Sequence, residues 1–149
     1  LQAFQTSIQD FAKIRDAEYD LIVSNPPFFS GGTFSSSQDK TSVRHTVKLP
    51  HGDLLRSARK LLKENGKFCL ILPYMEGLRF KELANTYNLY CTKMTEVKPK
   101  ADKPVERLLL QFEGKIKPME KDELVINDNE ANDWTAAYKA LTGEFYLKL

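Results

Sequence analysis

The apolar positions of the chain fall into a few runs with distinct periods. Residues 19–24, YDLIVS, form a short β-branched apolar run that stops at Asn25-Pro26-Pro27, which predicts a buried strand ending in a rigid turn. In HGDLLRSARKLLKENGK (51–67) the residues Leu54, Leu55, Ala58, Leu61 and Leu62 recur at helical spacing. Gly66 stands where a C′ glycine would close that helix. The run KFCLILP (67–73) is apolar throughout, as in strands buried on both faces, and it too ends in a proline, Pro73. A second helix is predicted over 75–87, and a Gly/Ser-rich loop over 28–40 (FFSGGTFSSSQDK).

Two further strand-like runs, LYCTKMTEV (89–97) and VERLLLQFE (105–113), flank the charged turn KPKADKP and predict an antiparallel pair. After Gly114 the register changes: residues 118–133 hold six acids against one base, with the short strand ELVI embedded. A closing helix places Trp134, Ala137, Tyr138 and Leu141 on one face and stops at Gly143, so that Trp134, Tyr138 and Phe145 read as core. Strands alternating with helices predict an α/β fold, a mostly parallel sheet with covered faces and an antiparallel terminal hairpin at one side.

Composition narrows the class. The chain has 149 residues, 42% hydrophobic and 28% charged, and 22 Lys+Arg against 20 Asp+Glu give a net +2. A chain of this length buries about 68–70% of its unfolded surface, enough for one core and not two. No stretch approaches the ~18 apolar residues of a membrane span, and residues 1–16 have no secretory pattern. Cys69 and Cys91 lie in apolar contexts without CxxC spacing, which argues against a disulfide framework and a zinc site and for a reducing cytoplasm. The seven glycines never fall into a GxG pattern.

Ligands of open α/β sheets bind beyond the carboxyl ends of the strands, and Asn25 is the polar residue placed there. Asn25-Pro26-Pro27-Phe28 after an apolar strand resembles the NPP(Y/F) signature of class I S-adenosylmethionine-dependent methyltransferases that modify amino nitrogens. The resemblance extends to Arg44-His45 before a helix, to LLKENGKFCLILP, to VERLLLQF and to the ending YKALTGEFYLKL. Together these are similar to the bacterial tRNA adenine-N6 methyltransferases that act on a valine tRNA, and they imply a Rossmann-like methyltransferase sheet.

The resemblance also implies roles. An exocyclic amino group is a poor nucleophile because its lone pair is delocalised into the ring. The Asn25 side-chain oxygen and the Pro26 carbonyl would each accept one of its N–H groups, with successive prolines fixing those oxygens in advance. Phe28, with Phe29 beside it, would stack on an extruded base. Asp10-Phe11 resembles the acid and aromatic step that meets the cofactor's adenine, although an Asp there equally suits a turn or helix cap. NPP alone also fits methylation of a guanine amino group in rRNA or of a protein glutamine amide.

Residues 40–67 contain eight bases and two acids. Arg44, His45 and Lys48, beside the catalytic loop, are read as RNA contacts, and Arg56, Arg59, Lys60 and Lys63 as the solvated face of a helix. His45 has no clustered partner, so no metal site is expected. Lys98, Lys100, Lys103 and Arg107 at the hairpin turn fit RNA binding and a solvated turn equally well. A non-catalytic RNA-binding or scaffold module is the rival from another class.

Only 24 residues precede Asn25, too few for a glycine-rich cofactor turn and a ribose-binding acid. Residues 1–149 are therefore expected to form one incomplete methyltransferase domain, lacking the N-terminal cofactor loop and inactive alone. YDLIVS would then be an open sheet edge, inviting a homodimer.

Overall fold

A computed structural model describes residues 2–27, 50–128 and 133–146. The elements are α1 (Ile8–Lys13), β1 (Tyr19–Ser24), α2 (His51–Leu61), β2 (Leu62–Pro73), α3 (Tyr74–Ala84), β3 (Tyr90–Lys98), β4 (Arg107–Glu113), β5 (Glu120–Val125) and α4 (Ala136–Thr142). A 3-10 turn, Asn85–Tyr87, closes α3. The five strands form one sheet in the order β1-β2-β4-β3-β5. β1 runs parallel to β2 and β3 parallel to β5, while β4 runs antiparallel to both of its neighbours.

The predicted hairpin is present, but β4 is not a side member: it is inserted between β2 and β3. Its alternation explains the fit. Leu108, Leu110 and Phe112 are buried and pair in register with Leu72, Leu70 and Phe68 of β2. Onto this face α2 brings Leu54, Leu55 and Ala58, and α3 brings Phe80 and Ala84. Phe68, Phe80 and Phe112 meet at centroid separations of 5.8–6.3 Å, the spacing of favourable tilted aromatic pairs.

Two expectations require correction. Gly66 does not cap a helix, because α2 ends at Leu61 and Leu62 is already extended. Gly66 instead lies inside β2 at an irregularity of its pairing, where Tyr19 pairs with Leu62 and Leu21 with Lys67, so three extra residues are accommodated opposite β1. A Cβ at Gly66 would lie 2.8 Å from the Tyr19 carbonyl oxygen and 2.9 Å from Leu62 Cδ2, inside contact distance. The cluster of Trp134, Tyr138 and Phe145 is not core: α4 buries no residue, and Phe145 is 86% exposed. A helix of seven residues beside an edge strand has too little sheet beneath it to bury a stripe.

The opposite sheet face is largely open among the described residues. Leu21 and Val23 are 55% and 72% exposed, and the other face residues of β2 and β4 are only partly covered. At the lower end of this face Glu113 is buried, accepting from Thr92 (3.0 Å), from Gln111 (3.3 Å) and from Lys117.

Two stability predictions follow from these contacts. Gly66→Ala should cost about 1–3 kcal/mol in urea unfolding, because backbone must move to admit the methyl group. Gly114→Ala, whose Cβ meets only the Arg59 side chain at 3.5 Å or more, should stay within about 0.5 kcal/mol. The hydrogen bond from Lys117, and to a lesser degree that from Thr92, hold the Glu113 carboxyl below its ordinary value of 4.5 against the effect of burial. A lowered acid contributes stability above its ordinary pKa and loses it as pH falls through the folded value. Glu113→Gln should thus destabilise by about 1–3 kcal/mol at pH 7, and the difference from wild type should shrink in unfolding curves taken below about pH 4.

Candidate active site

The site is built where β1 stops short. Ser24 pairs with Leu70, Leu70 with Leu110 and Leu110 with Met94, so these four residues share one row across the sheet. β2 continues three residues past that row to Pro73, and β3 continues four to Lys98. At ~3.3 Å per residue the neighbouring strands rise about 10 Å above the end of β1. Asn25-Pro26-Pro27 leaves the sheet in this notch: Asn25 is exposed, Pro26 is buried and Pro27 is exposed. The buried first proline anchors the turn, and the fixed φ of two prolines leaves the Asn25 side chain and the Pro26 carbonyl few alternative placements.

Asn25 stands at the rim of a groove of about 400 Å³ that crosses the open sheet face, walled by Val23, Cys69, Ile71, Leu109 and Thr95. The wall is mostly apolar, with Lys93, Thr95 and Gln111 as its polar members, and burial pushes the Cys69 thiol up. The arrangement therefore offers a fixed amide at the edge of an apolar surface. That is chemistry for holding and orienting a flat, partly polar group. Sequence reasoning did not single out these wall residues. Their signal was the unbroken apolar run of β2, which makes both of its faces apolar.

Asp10 and Phe11 lie elsewhere. Ser7 caps α1: its hydroxyl accepts from the Asp10 amide (3.1 Å) and donates to the Asp10 carboxylate (2.8 Å). Lys13 binds the same carboxylate at 2.7 Å and is the main cause of its lowered pKa. Ser7 thus caps the helix, while its hydroxyl and Lys13 together occupy the Asp10 carboxylate. Phe11 lies 5.4 Å from the Phe4 ring and 6.1 Å from that of Tyr19, with the Arg15 guanidinium 5.0 Å over its face. The groove at Asn25 includes neither Asp10 nor Phe11. Phe28, Phe29, Arg44, His45, Lys48 and the loop over 30–42 lie outside the described residues.

On α2, Arg56 pairs with Asp53 at 3.0 Å, and beyond the helix Lys63 pairs with Asp20 at 2.8 Å, as expected of a solvated charged face. Among the described residues there is no group of three or more His, Cys, Asp or Glu placed to hold a metal, and no helix long and apolar enough to cross a membrane.

No family model matches the chain. Curated proteins do. The chain is 34% identical over 151 residues to the tRNA1(Val) (adenine(37)-N6)-methyltransferase of Proteus mirabilis, covering 99% of this chain and 60% of that protein. It is 37% identical over 147 residues to the protein of the same name from Pectobacterium carotovorum, covering 99% and 59%. It is 38% identical over 148 residues to that from Haemophilus influenzae, covering 99% and 62%. The chain thus spans about three fifths of the length of the curated relatives it matches. Among solved structures, a predicted O-methyltransferase from Agrobacterium tumefaciens superposes with a TM-score of 0.65 at 14% identity, covering 94% of this chain and 58% of that one. The chain therefore shares the fold of the matched part of that structure, and along nearly its whole length it is similar in sequence to the tRNA1(Val) (adenine(37)-N6)-methyltransferases of several bacteria.

Proposed function

We propose that the protein methylates the exocyclic N6 of an adenosine in tRNA, with S-adenosylmethionine as methyl donor, in the cytoplasm. The observation that carries this reading is Asn25-Pro26-Pro27 standing in the notch at the carboxyl end of β1, in a chain related end to end to proteins named for that reaction. The donor, when bound, supplies an electrophilic methyl group. This chain's part is to hold the acceptor. The Asn25 amide oxygen and the Pro26 carbonyl each accept one N–H of the adenine amino group, which turns its lone pair out of conjugation and toward the donor. The ammonium-like nitrogen formed on methylation is strongly acidic, so a positioned general base is not required. Phe28 and Phe29 supply the stacking surface, and Arg44, His45 and Lys48 the first RNA contacts, in this reading.

The residues present fit the donor only in part. Asp10 and Phe11 are the candidates for its adenine, but the Asp10 carboxylate already holds Ser7 and Lys13, so engagement of the donor would have to open that cap. The sequence contains no GxG turn through which backbone could approach the donor. We therefore read residues 1–149 as the acceptor-holding portion of a larger methyltransferase domain. Among the described residues the sheet face opposite the helices is largely open and the outer edge of β1 is unpaired, and both support this, since both demand cover. The alternative cover for that edge is a second copy of the chain, in a homodimer.

Asn25→Ala in the full-length protein should lower kcat by about a hundred- to a thousand-fold, the usual loss when a fixed polar contact to the reacting group is removed. The thermal melt should stay unchanged, since Asn25 is exposed. Mass spectrometry of nucleosides from the treated tRNA should show N6-methyladenosine. Methylated guanosine or a methylated glutamine as sole product, or full activity in the variant, would overturn the reading.

A further inference from the structure

We propose that the β3–β4 turn and the aromatic surface beside α4 form a docking site for unpaired nucleotides that flank the target base. The inference rests on the reading of the protein as an RNA base methyltransferase and extends it to a surface outside the notch.

Topology places the turn. β1, β2 and β3 all point their carboxyl ends the same way, and β4 starts at that end, so the connection between β3 and β4 rises from the same edge of the sheet as Asn25. β4 and β3 lie two and three strands from β1, about 10 and 14 Å across the sheet. A nucleotide held at Asn25 thus has its neighbours within reach of the turn.

The turn is stiff and carries cations. The Lys103 amide donates to the Lys100 carbonyl at 3.1 Å, closing a β-turn that sets a lysine at each end, between Pro99 and Pro104. Its root is sealed from three sides: Glu106 N–H to Val97 O, Tyr74 N–H to Glu106 O, and Ile126 N–H to Lys98 O, each at 2.9 Å. Lys98 is held by Glu123 at 2.6 Å, whereas Lys103 meets the adjacent Asp102 at 3.6 Å, an exposed contact that a phosphate can displace.

The aromatic surface is tied to the same root. Asn127 donates to the Pro99 carbonyl at 2.9 Å and bridges to Trp134, and Thr135 donates to Ile126 O at 3.0 Å. Trp134 stacks on Tyr138 with centroids 5.0 Å apart and planes 24° from parallel. At the far end of α4, Phe145 and Tyr146 are 86% and 54% exposed. A fixed turn that carries cations, tied through Asn127 to a stacked ring pair and followed at the other end of α4 by two exposed rings, offers what single-stranded nucleic acid recognises: cations for phosphate and ring faces for bases. A double helix hides its base faces and would gain only the phosphate contacts.

The test is fluorescence anisotropy on the full-length protein with two labelled RNAs: a stem-loop whose loop contains an unpaired adenosine, and the same stem closed as a blunt duplex. The double variant Lys100→Glu/Lys103→Glu should weaken stem-loop binding at least tenfold and reduce the slope of log K against log salt by about 1.4, that is ~0.7 for each of two phosphates. Phe145→Ala should weaken the stem-loop by roughly five- to a hundred-fold and the duplex by less than about twofold. The matched charge reversal Lys63→Glu/Lys115→Glu, at the opposite end of the sheet, should change either affinity by less than about threefold. Equal losses from the two double variants, an unchanged salt slope, or equal effects of Phe145→Ala on both RNAs would overturn the proposal; thermal melts confirm that each variant is folded. If the losses appear as expected while the wild-type protein yields no N6-methyladenosine, the docking site stands and the catalytic reading fails. Methylation with none of these losses gives the reverse.

Discussion

The pairing of β2 with β4 holds the rest of the molecule in place. Seven consecutive residue pairs, from Lys67 with Glu113 to Pro73 with Arg107, lock two alternating strands so that Phe68, Leu70 and Leu72 lie opposite Phe112, Leu110 and Leu108 on one face. A slip of one residue would turn one strand's three toward the other face and halve the apolar sheet surface that α2 and α3 cover. Together with the β1–β2 and β3–β4 registers, this pairing fixes the row from Ser24 to Met94, and hence the depth of the notch at Asn25 and the height of the β3–β4 turn. Core packing and site geometry are thus set by the same strand ladders.

Much of this was legible in the chain because the signals are local. A β-branched run broken by Asn25-Pro26-Pro27 has few ways to fold, and the alternation of 105–113 announces a half-buried strand. The insertion of β4 beside β2 was not legible, because β3 and β4 both present suitable apolar residues and only the three-dimensional fit of Phe112 against Phe68 and Phe80 decides between them. Gly66 shows the same limit at one residue. Its need for glycine is visible, but the cause, the approach of the Tyr19 carbonyl, comes from a strand more than forty positions away. Helical spacing placed Trp134 and Tyr138 on a common face, and spacing carries no information about whether anything lies against that face. At the site, the chemistry of Asn25 was readable while the groove beside it was not, since Cys69, Ile71 and Leu109 meet only through strand pairing.

The two edges of the sheet are finished differently. β5 is joined to β3 by a ladder of ion pairs, Lys93 with Asp122 at 3.0 Å, Lys98 with Glu123 at 2.6 Å and Lys121 with Glu96 at 2.8 Å. Each exposed pair contributes little, on the order of 0–1 kcal/mol. Their combined effect is an edge dense in charge, which disfavours pairing with a further strand. Among the described residues β1 has no such protection. Of its exposed side chains, Leu21 and Val23 are apolar, and the ion pair of Asp20 with Lys63 sits at its entry.

That asymmetry bears on how the proposed enzyme would assemble its site. The groups suited to gripping an acceptor base, Asn25 and Pro26, stand at the free end of the least protected strand, next to the bare face. In the larger domain we propose, a strand added along β1 would cover its edge and carry its own end to the same rim. Whatever segment follows that strand would then lie across the notch from Asn25. Burying Leu21 and Val23 and completing the donor cradle would become one event, so that the apolar surface left open here would supply the driving force for building the half of the site that these residues lack.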